Sequence, residues 1–217
     1  MTDYARRRVM MVDTQIRPSD VTKFPIIDAM LAVPREAFVP APLREAAYMG
    51  ENLDLGEGRV ILEPRTLAKM LDALEIAADD LVLDIGAGLG YSSAVMARLA
   101  QLVISVEEDE AMAAEAQALL SEHGADNVVV HRGPLTEGAP EHGPYDVVVV
   151  EGAVEELPQA LIDQLKEDGR MACLFMEGAL GVVRIGYKVD GAMSWRFSFN
   201  AGAPVLPGFE KHPVFTF

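Results

Sequence analysis

The fold is decided by LVLDIGAGLGYSSAV, Leu81 to Val95, together with ISVEEDEAM, Ile104 to Met112. The first stretch reads as a buried strand, a glycine turn and the opening of a helix. Its apolar start suits a central strand covered on both faces. Gly86, Gly88 and Gly90 then space as G-x-G-x-G. Glycine there permits backbone dihedrals and close ligand approach that a Cβ would block. The second stretch is a strand ending at Glu107, 21 residues after Gly86. A carboxylate at that strand end is placed to hold a ribose diol. Together they describe a pocket for a nucleoside-containing cofactor on an open α/β sheet.

Downstream, strand and helix patterns alternate, as in a parallel sheet covered on both faces. A helix is expected from Tyr91 to Leu99, then the strand LVISVE. Asp109 is a suitable N-cap for DEAMAAEAQALLSEH, and Gly124 a suitable stop. NVVVH and YDVVVVEGA supply two more strands. Pro158 opens a further helix that Gly169 is expected to end. MACLF is a fifth strand, and VVRIGYKV and MSWRFSF flank Asp190-Gly191, a strong hairpin turn signal. The sheet is therefore expected to finish in an antiparallel ribbon.

Upstream, the N-terminal third shows no strand signal. Residues 2–14 and Phe24 to Val33 have helical spacing, the latter stopped by Pro34. Met49 to Arg59 reads as a glycine-containing loop, and Leu67, Met70, Leu71 and Leu74 share one helical face. The expected division is a single domain over 1–217, with a helical and loop extension at 1–65 and the α/β core at 66–217.

At 217 residues the chain is long enough to bury a full core. Its 18 basic and 34 acidic residues give a net charge of −16. Such a surface repels nucleic acid and anionic lipid, so neither is expected as a partner. The single cysteine, Cys173, excludes an internal disulfide and reads as a small buried hydrophobe in a cytoplasmic protein. No apolar stretch approaches membrane-spanning length. The four histidines show no metal-ligand spacing, and no metal is expected. Trp195 and Phe197 alternate on the terminal hairpin and are expected to pack. The apolar tail from Gly202 to Phe217 is expected to lie across the domain or to supply an oligomer contact.

Two cofactor classes suit the glycine turn. A dinucleotide site usually shows G-x-G-x-x-G, with a helix N-terminus aimed at a pyrophosphate. The spacing here is shorter, and Asp84 precedes it. S-adenosyl-L-methionine carries positive charge at its sulfur and an ammonium, which Asp84 can balance directly or through water while Glu107 takes the ribose. The methyl donor is the better match.

The chain also resembles the protein-L-isoaspartate O-methyltransferase family over most of its length. The matching pieces, in order, are VDTQI near Val12, DAMLAVPREAFVP from Asp28, AAYMG near Tyr48 and ILEPRTLAKML from Ile61. VLDIGAGLGYSSAVMARLA, ISVEEDEAM, NVVVHRGP, GPYDVVVVEGAVEELPQALIDQL and the Gly169-Arg170 turn follow. VPREAFVP is the most specific of them. The resemblance implies a Rossmann-like class I methyltransferase sheet, mostly parallel, with an N-terminal helical extension. It implies S-adenosyl-L-methionine as cofactor and methylation of isoaspartyl carboxylates in damaged proteins or peptides, the first step of protein repair. It also implies cofactor contacts from Ile61, Asp84, Gly86, Ala87, Gly88, Gly90, Glu107, Glu108, Pro134 and Leu135. A monomer or homodimer is expected.

The departures fall on the substrate side. Leu62 stands where the family has its serine, so no catalytic residue is assigned. Pro134 replaces an acidic residue that contacts adenine, and Glu151-Gly152-Ala153 replaces threonine-alanine-alanine. Glu51, Asp54, Glu57 and Glu63 crowd the segment facing an anionic substrate, with Arg59 and Arg65 as compensating or solvated charges. The expectation is retained cofactor binding with isoaspartyl activity reduced, lost or redirected. The alternatives are a cofactor-binding sensor or partner protein without turnover, and a methyltransferase acting on another small acceptor.

Overall fold

The structure is a computed structural model that describes residues 3–211. Helix α1 (Asp3–Met11) opens the chain and runs into a wider π-helical turn, Val12–Ile16. Arg8 pins it by donating to Tyr48 Oη at 2.9 Å and pairing with Glu36 at 3.2 Å. Helix α2 (Phe24–Ala32) stops before Pro34, which disfavours helical backbone at the residue ahead of it.

The expected loop at 49–59 contains a hairpin instead. Strand β1 (Leu53–Gly56) pairs antiparallel with β2 (Arg59–Ile61). Its turn residues Glu57 and Gly58 both have positive φ, 51° and 75°, which suits the right-handed twist of paired strands. Glutamate is an uncommon choice there, and the strands are only four and three residues long, so the pattern carried no strand signal. Asp54 steadies the turn by accepting from the Gly56 N–H at 2.8 Å.

Helix α3 (Pro64–Leu74) buries Leu67, Met70, Leu71 and Leu74, the predicted face. The core then follows as β3 (Leu81–Ile85), α4 (Tyr91–Met96), β4 (Leu102–Glu107), α5 (Glu110–Glu122), β5 (Val128–Arg132) and β6 (Tyr145–Val154). It continues with α6 (Gln159–Asp163), β7 (Leu165–Glu177), β8 (Leu180–Val189) and β9 (Ala192–Asn200). Asp109 caps α5 by accepting from the Met112 N–H at 2.8 Å.

Seven strands form one sheet in the order β5-β4-β3-β6-β7-β8-β9. The first five run parallel, and β8 and β9 add an antiparallel ribbon turned at Asp190-Gly191, both with positive φ. The chain is an α/β protein with a mostly parallel sheet, as the alternation predicted. Strand order reverses around β3, which has β4 on one side and β6 on the other. Crevices at such switch points, beyond the carboxyl ends of the strands, are where open α/β sheets bind ligands.

Two corrections concern β6 and β7. The helix opened by Pro158 ends at Asp163, and Gly169 lies inside β7 rather than after a helix. Leu165 pairs with Tyr145 and Arg170 with Val147, so residues 166–169 bulge from the ladder with Asp168 at φ 63°. A second irregularity lies in β6, where Val149 pairs with Ala172 and Ala153 with Leu174. It takes Glu151 out of strict pairing at the carboxyl end of the sheet, a common way to re-aim a side chain.

Apolar side chains pack on both faces of the sheet. Residues of the N-terminal extension, including Phe38, Val39 and Leu62, share one core with Leu67, Leu71, Val82 and Val103. Cys173 is buried in the opposite core beside Val148, Val150 and Met171, where burial pushes its thiol pKa up and keeps it neutral. After β9 the tail crosses the sheet's carboxyl edge. Val205 bridges to Ala153, Leu206 N donates to Ala153 O at 2.9 Å, and Leu206 and Phe209 are fully buried. The described part of the tail therefore packs across the core, while Pro213, Phe215 and Phe217 lie outside the described residues. No helix among the described residues is long and apolar enough to cross a membrane.

Candidate cofactor site

The glycine turn joins β3 to α4. Gly86, Gly88 and Gly90 adopt φ of 80°, 58° and 92°, so all three occupy the left-handed region where other residues are strained. The Gly86 N–H donates to Val106 O at 3.0 Å, which locks the turn against β4. Asp84 at the end of β3 is fully buried. Its Oδ2 accepts from Ser92 Oγ at 2.7 Å and Ser93 Oγ at 2.6 Å, while Oδ1 has no partner. Burial pushes its pKa from 3.8 up to about 6, against the two serine bonds, and Glu107 adds to the rise.

Glu151 also lies buried at this edge, with Oε1 unpartnered. Burial first, and the neighbouring Asp84 second, hold its carboxyl well above the usual range, with Arg35 opposing. Two buried carboxyls, each with an oxygen lacking a partner, crowd this edge, and a cation between them would favour their ionised, acceptor-only form.

Glu107 ends β4 with no solvent exposure, and both its oxygens are taken. Arg59 Nη1 donates to Oε1 at 2.7 Å and Arg59 Nη2 to Oε2 at 2.6 Å. The N–H groups of Gly88, Glu108 and Asp109 donate as well, at 2.9, 2.9 and 3.0 Å. Arg59 was expected as a solvated or substrate-facing charge; it is only 5% exposed. The reason is register: on the short β2 it pairs opposite the bulge at Gly56, and its side chain reaches β4. Arg65 remains at the surface, 3.6 Å from Glu63, with its side chain 41% exposed.

The chain's own side chains pack against the glycines. A Cβ built on Gly88 would meet Leu55 Cδ1 at 2.7 Å. One on Gly86 would lie 3.5 Å from Arg59 Nη2, 3.5 Å from Leu206 Cδ1 and 3.7 Å from Leu135 Cδ1. S-adenosyl-L-methionine is thus matched in halves. The unpaired oxygens of Asp84 and Glu151 suit its cationic amino-acid end, whereas Glu107, the residue expected to hold its ribose, is engaged by Arg59, and Leu55 stands against Gly88. In this arrangement the residues do not fit the whole cofactor.

Other sequence-predicted residues are placed as follows. Ala87 is buried in the turn, Leu135 reaches Gly86, and Ile61 is buried on β2 opposite Leu53. Glu108 and Pro134 are exposed. Leu62 is fully buried, and its carbonyl accepts from Arg35 Nη2 at 2.8 Å. The acidic residues of the 51–63 segment spread outward: Glu51, Asp54 and Glu57 are exposed, and Glu63 accepts from Thr66 Oγ1 at 2.7 Å.

Arg35, within VPREAFVP, is a buried brace. It donates to Ala47 O at 2.7 Å and to Leu62 O, and its guanidinium lies 4.6 Å from the centre of the Tyr91 ring. Away from this site, His131, Glu141 and His142 converge with potential ligand atoms within 4.8 Å of one another, a cluster that sequence spacing did not reveal.

A family model for protein-L-isoaspartate (D-aspartate) O-methyltransferase matches residues 7–183. The Roseiflexus castenholzii protein-L-isoaspartate O-methyltransferase is 42% identical over 169 residues, covering 78% of this chain and 77% of that protein. Protein-L-isoaspartate O-methyltransferase 2 of Pelobacter propionicus is 38% identical over 205 residues, covering 91% of each. Among solved structures, a protein-L-isoaspartate O-methyltransferase superposes with a TM-score of 0.79 at 27% identity, covering 94% of this chain and 65% of the other. A Plasmodium falciparum structure, described as a beta-aspartate methyltransferase in complex with S-adenosyl-L-homocysteine, shares the fold with a TM-score of 0.78 at 19% identity. It covers 95% of this chain and 99% of the other. With the glycine turn, the acidic strand end and the VPREAFVP brace in their places, the chain belongs to the protein-L-isoaspartate O-methyltransferase family.

Proposed function

We propose that this chain is an S-adenosyl-L-methionine-class carboxyl methyltransferase whose turnover on isoaspartyl residues is attenuated. The observation that carries the reading is Leu62. It stands at the position of the family serine, has no side-chain donor, and is wholly enclosed in the core. A hydrogen bond to a charged carboxylate contributes roughly 1.5–3 kcal/mol, so its loss slows turnover about ten- to two-hundredfold.

The proposed cofactor side comprises Asp84, the turn Gly86-Ala87-Gly88 with Gly90, and Glu107. Ile61, Glu108, Pro134 and Leu135 form its margins. The proposed acceptor is a damaged protein or peptide. Carboxylate methylation needs no general base, because the acceptor is already ionised at neutral pH. The absence of a histidine at the turn therefore does not argue against turnover. A second reading, a cofactor-responsive partner protein without turnover, is favoured by one observation, the engagement of Glu107 by Arg59.

The test is methyl transfer to an isoaspartyl peptide against its aspartyl twin, with the Pelobacter propionicus relative in parallel. The expected rate is at least tenfold below the relative's, with partial recovery in Leu62→Ser. Turnover equal to the relative's would overturn the proposal.

A further inference from the structure

The glycine turn, the buried Glu107 and the positive-φ cradle are built for a nucleoside, yet residues of this chain occupy that space. We propose that Arg59 is an internal plug of the cofactor pocket: its guanidinium takes the place of a ribose diol on Glu107, so nucleoside binding and the Arg59–Glu107 pair exclude each other. The inference rests on the reading of this pocket as the family's cofactor site, but not on which acceptor is methylated.

Three observations support it. The contact is bidentate, with two N–H donors of Arg59 meeting the two oxygens of Glu107 at 2.7 and 2.6 Å. This is the geometry in which vicinal hydroxyls would be held, and a buried forked pair is stronger than neutral hydrogen bonds. The second observation is the hairpin itself. Leu55, on the strand paired with β2, stands over Gly88 so closely that a Cβ there would lie 2.7 Å away. One element thus delivers both the charge to Glu107 and an apolar cover to the turn.

The third is a mismatch. Arg59 Nε is buried with no partner. The pocket satisfies both Nη groups of the guanidinium and leaves Nε unpaired, a desolvation cost that favours release to water. An occupant that satisfies Glu107 and releases Arg59 to water would relieve that cost. Arg59 therefore behaves as a displaceable competitor, with the β1–β2 hairpin as the element that must shift.

Isothermal titration of the full chain with S-adenosyl-L-homocysteine, and separately with adenosine, tests the plug in wild type, Arg59→Ala and Arg59→Gln. Melting curves check that each variant is folded. Glutamine can still donate to Glu107 but carries no charge, so it covers the case in which alanine leaves Glu107 too exposed in charge to fold. At least tenfold tighter binding of both ligands by a folded variant is expected. Equal or weaker binding by the folded variants overturns the plug, as does no binding by any of the proteins. The assay does not read methyl transfer, so the two proposals can fail separately. Equal binding by wild type and folded variants with slow isoaspartyl turnover sinks the plug alone; relief by Arg59→Gln with rapid turnover sinks the attenuation alone.

Discussion

Asp84 shows how a single buried carboxyl sets both chemistry and stability. Its pKa lies near 6 in the folded chain against 3.8 when solvated, because burial outweighs two serine hydrogen bonds. A folded-state pKa above the unfolded one means that the folded state binds the proton more tightly. This contribution to stability is present below pH 4 and lost as pH climbs to about 6. At 1.36 kcal/mol per unit, the loss is about 3 kcal/mol. Asp84→Asn is expected to be more stable than wild type at pH 7.5 by up to that amount and similar at pH 4, measured by urea unfolding. A wild-type advantage at pH 7.5 would contradict the burial argument. Arg35 presents the opposite case, a buried cation held by two carbonyls and a ring. Lysine cannot reproduce the planar fork, and stranding one buried carbonyl costs about 1–3 kcal/mol. Arg35→Lys should therefore lower the urea midpoint without altering the unfolding slope.

At the scale of elements, the β1–β2 hairpin is the piece that the sequence hid. Its turn depends on Gly58 at φ 75°, and a Cβ there would sit 3.4 Å from the carbonyl of Val205 in the tail. Asn52 joins the same two segments, donating to Gly202 O at 2.7 Å while accepting from the Glu63 N–H at 2.8 Å. Gly58→Ala is expected to cost about 1–2 kcal/mol through left-handed backbone strain. It should also loosen the cover over Gly88, seen as faster amide exchange at Leu55 and Arg59. Unchanged exchange there would show that the turn does not hold the hairpin in place. By contrast, the Asp190-Gly191 turn was legible because its residues are those that type I′ turns favour and its flanking runs are long. Glu57-Gly58 uses the same backbone with a residue that does not advertise it.

For the whole molecule, the parallel sheet and its switch point could be read from the alternation of apolar runs and capped helices. Asp109 and Gly124 bounded α5 as predicted, and Asp84 and Glu107 fell at strand ends because strand polarity fixes which end faces the crevice. The contents of that crevice were not legible. Arg59 lies 48 positions from Glu107, and Leu206 is farther still from Gly86, so no local pattern couples them. A solvated arginine and a buried one have the same sequence signature. The bulge in β6 that brings Glu151 to the site is equally a property of its pairing with β7.

The sequence by itself determined the fold class, the glycine turn, the acidic strand end and the family. Each of these depends on residue type at short, fixed spacing, where backbone geometry leaves few choices. Only the tertiary structure decided that Leu62 is enclosed in the core, that Arg59 pairs with the buried Glu107, and that Leu55 and Leu206 pack against Gly88 and Gly86. Those facts follow from segments distant in the chain meeting at one sheet edge. There, burial and pairing, rather than residue type, assign each side chain its role.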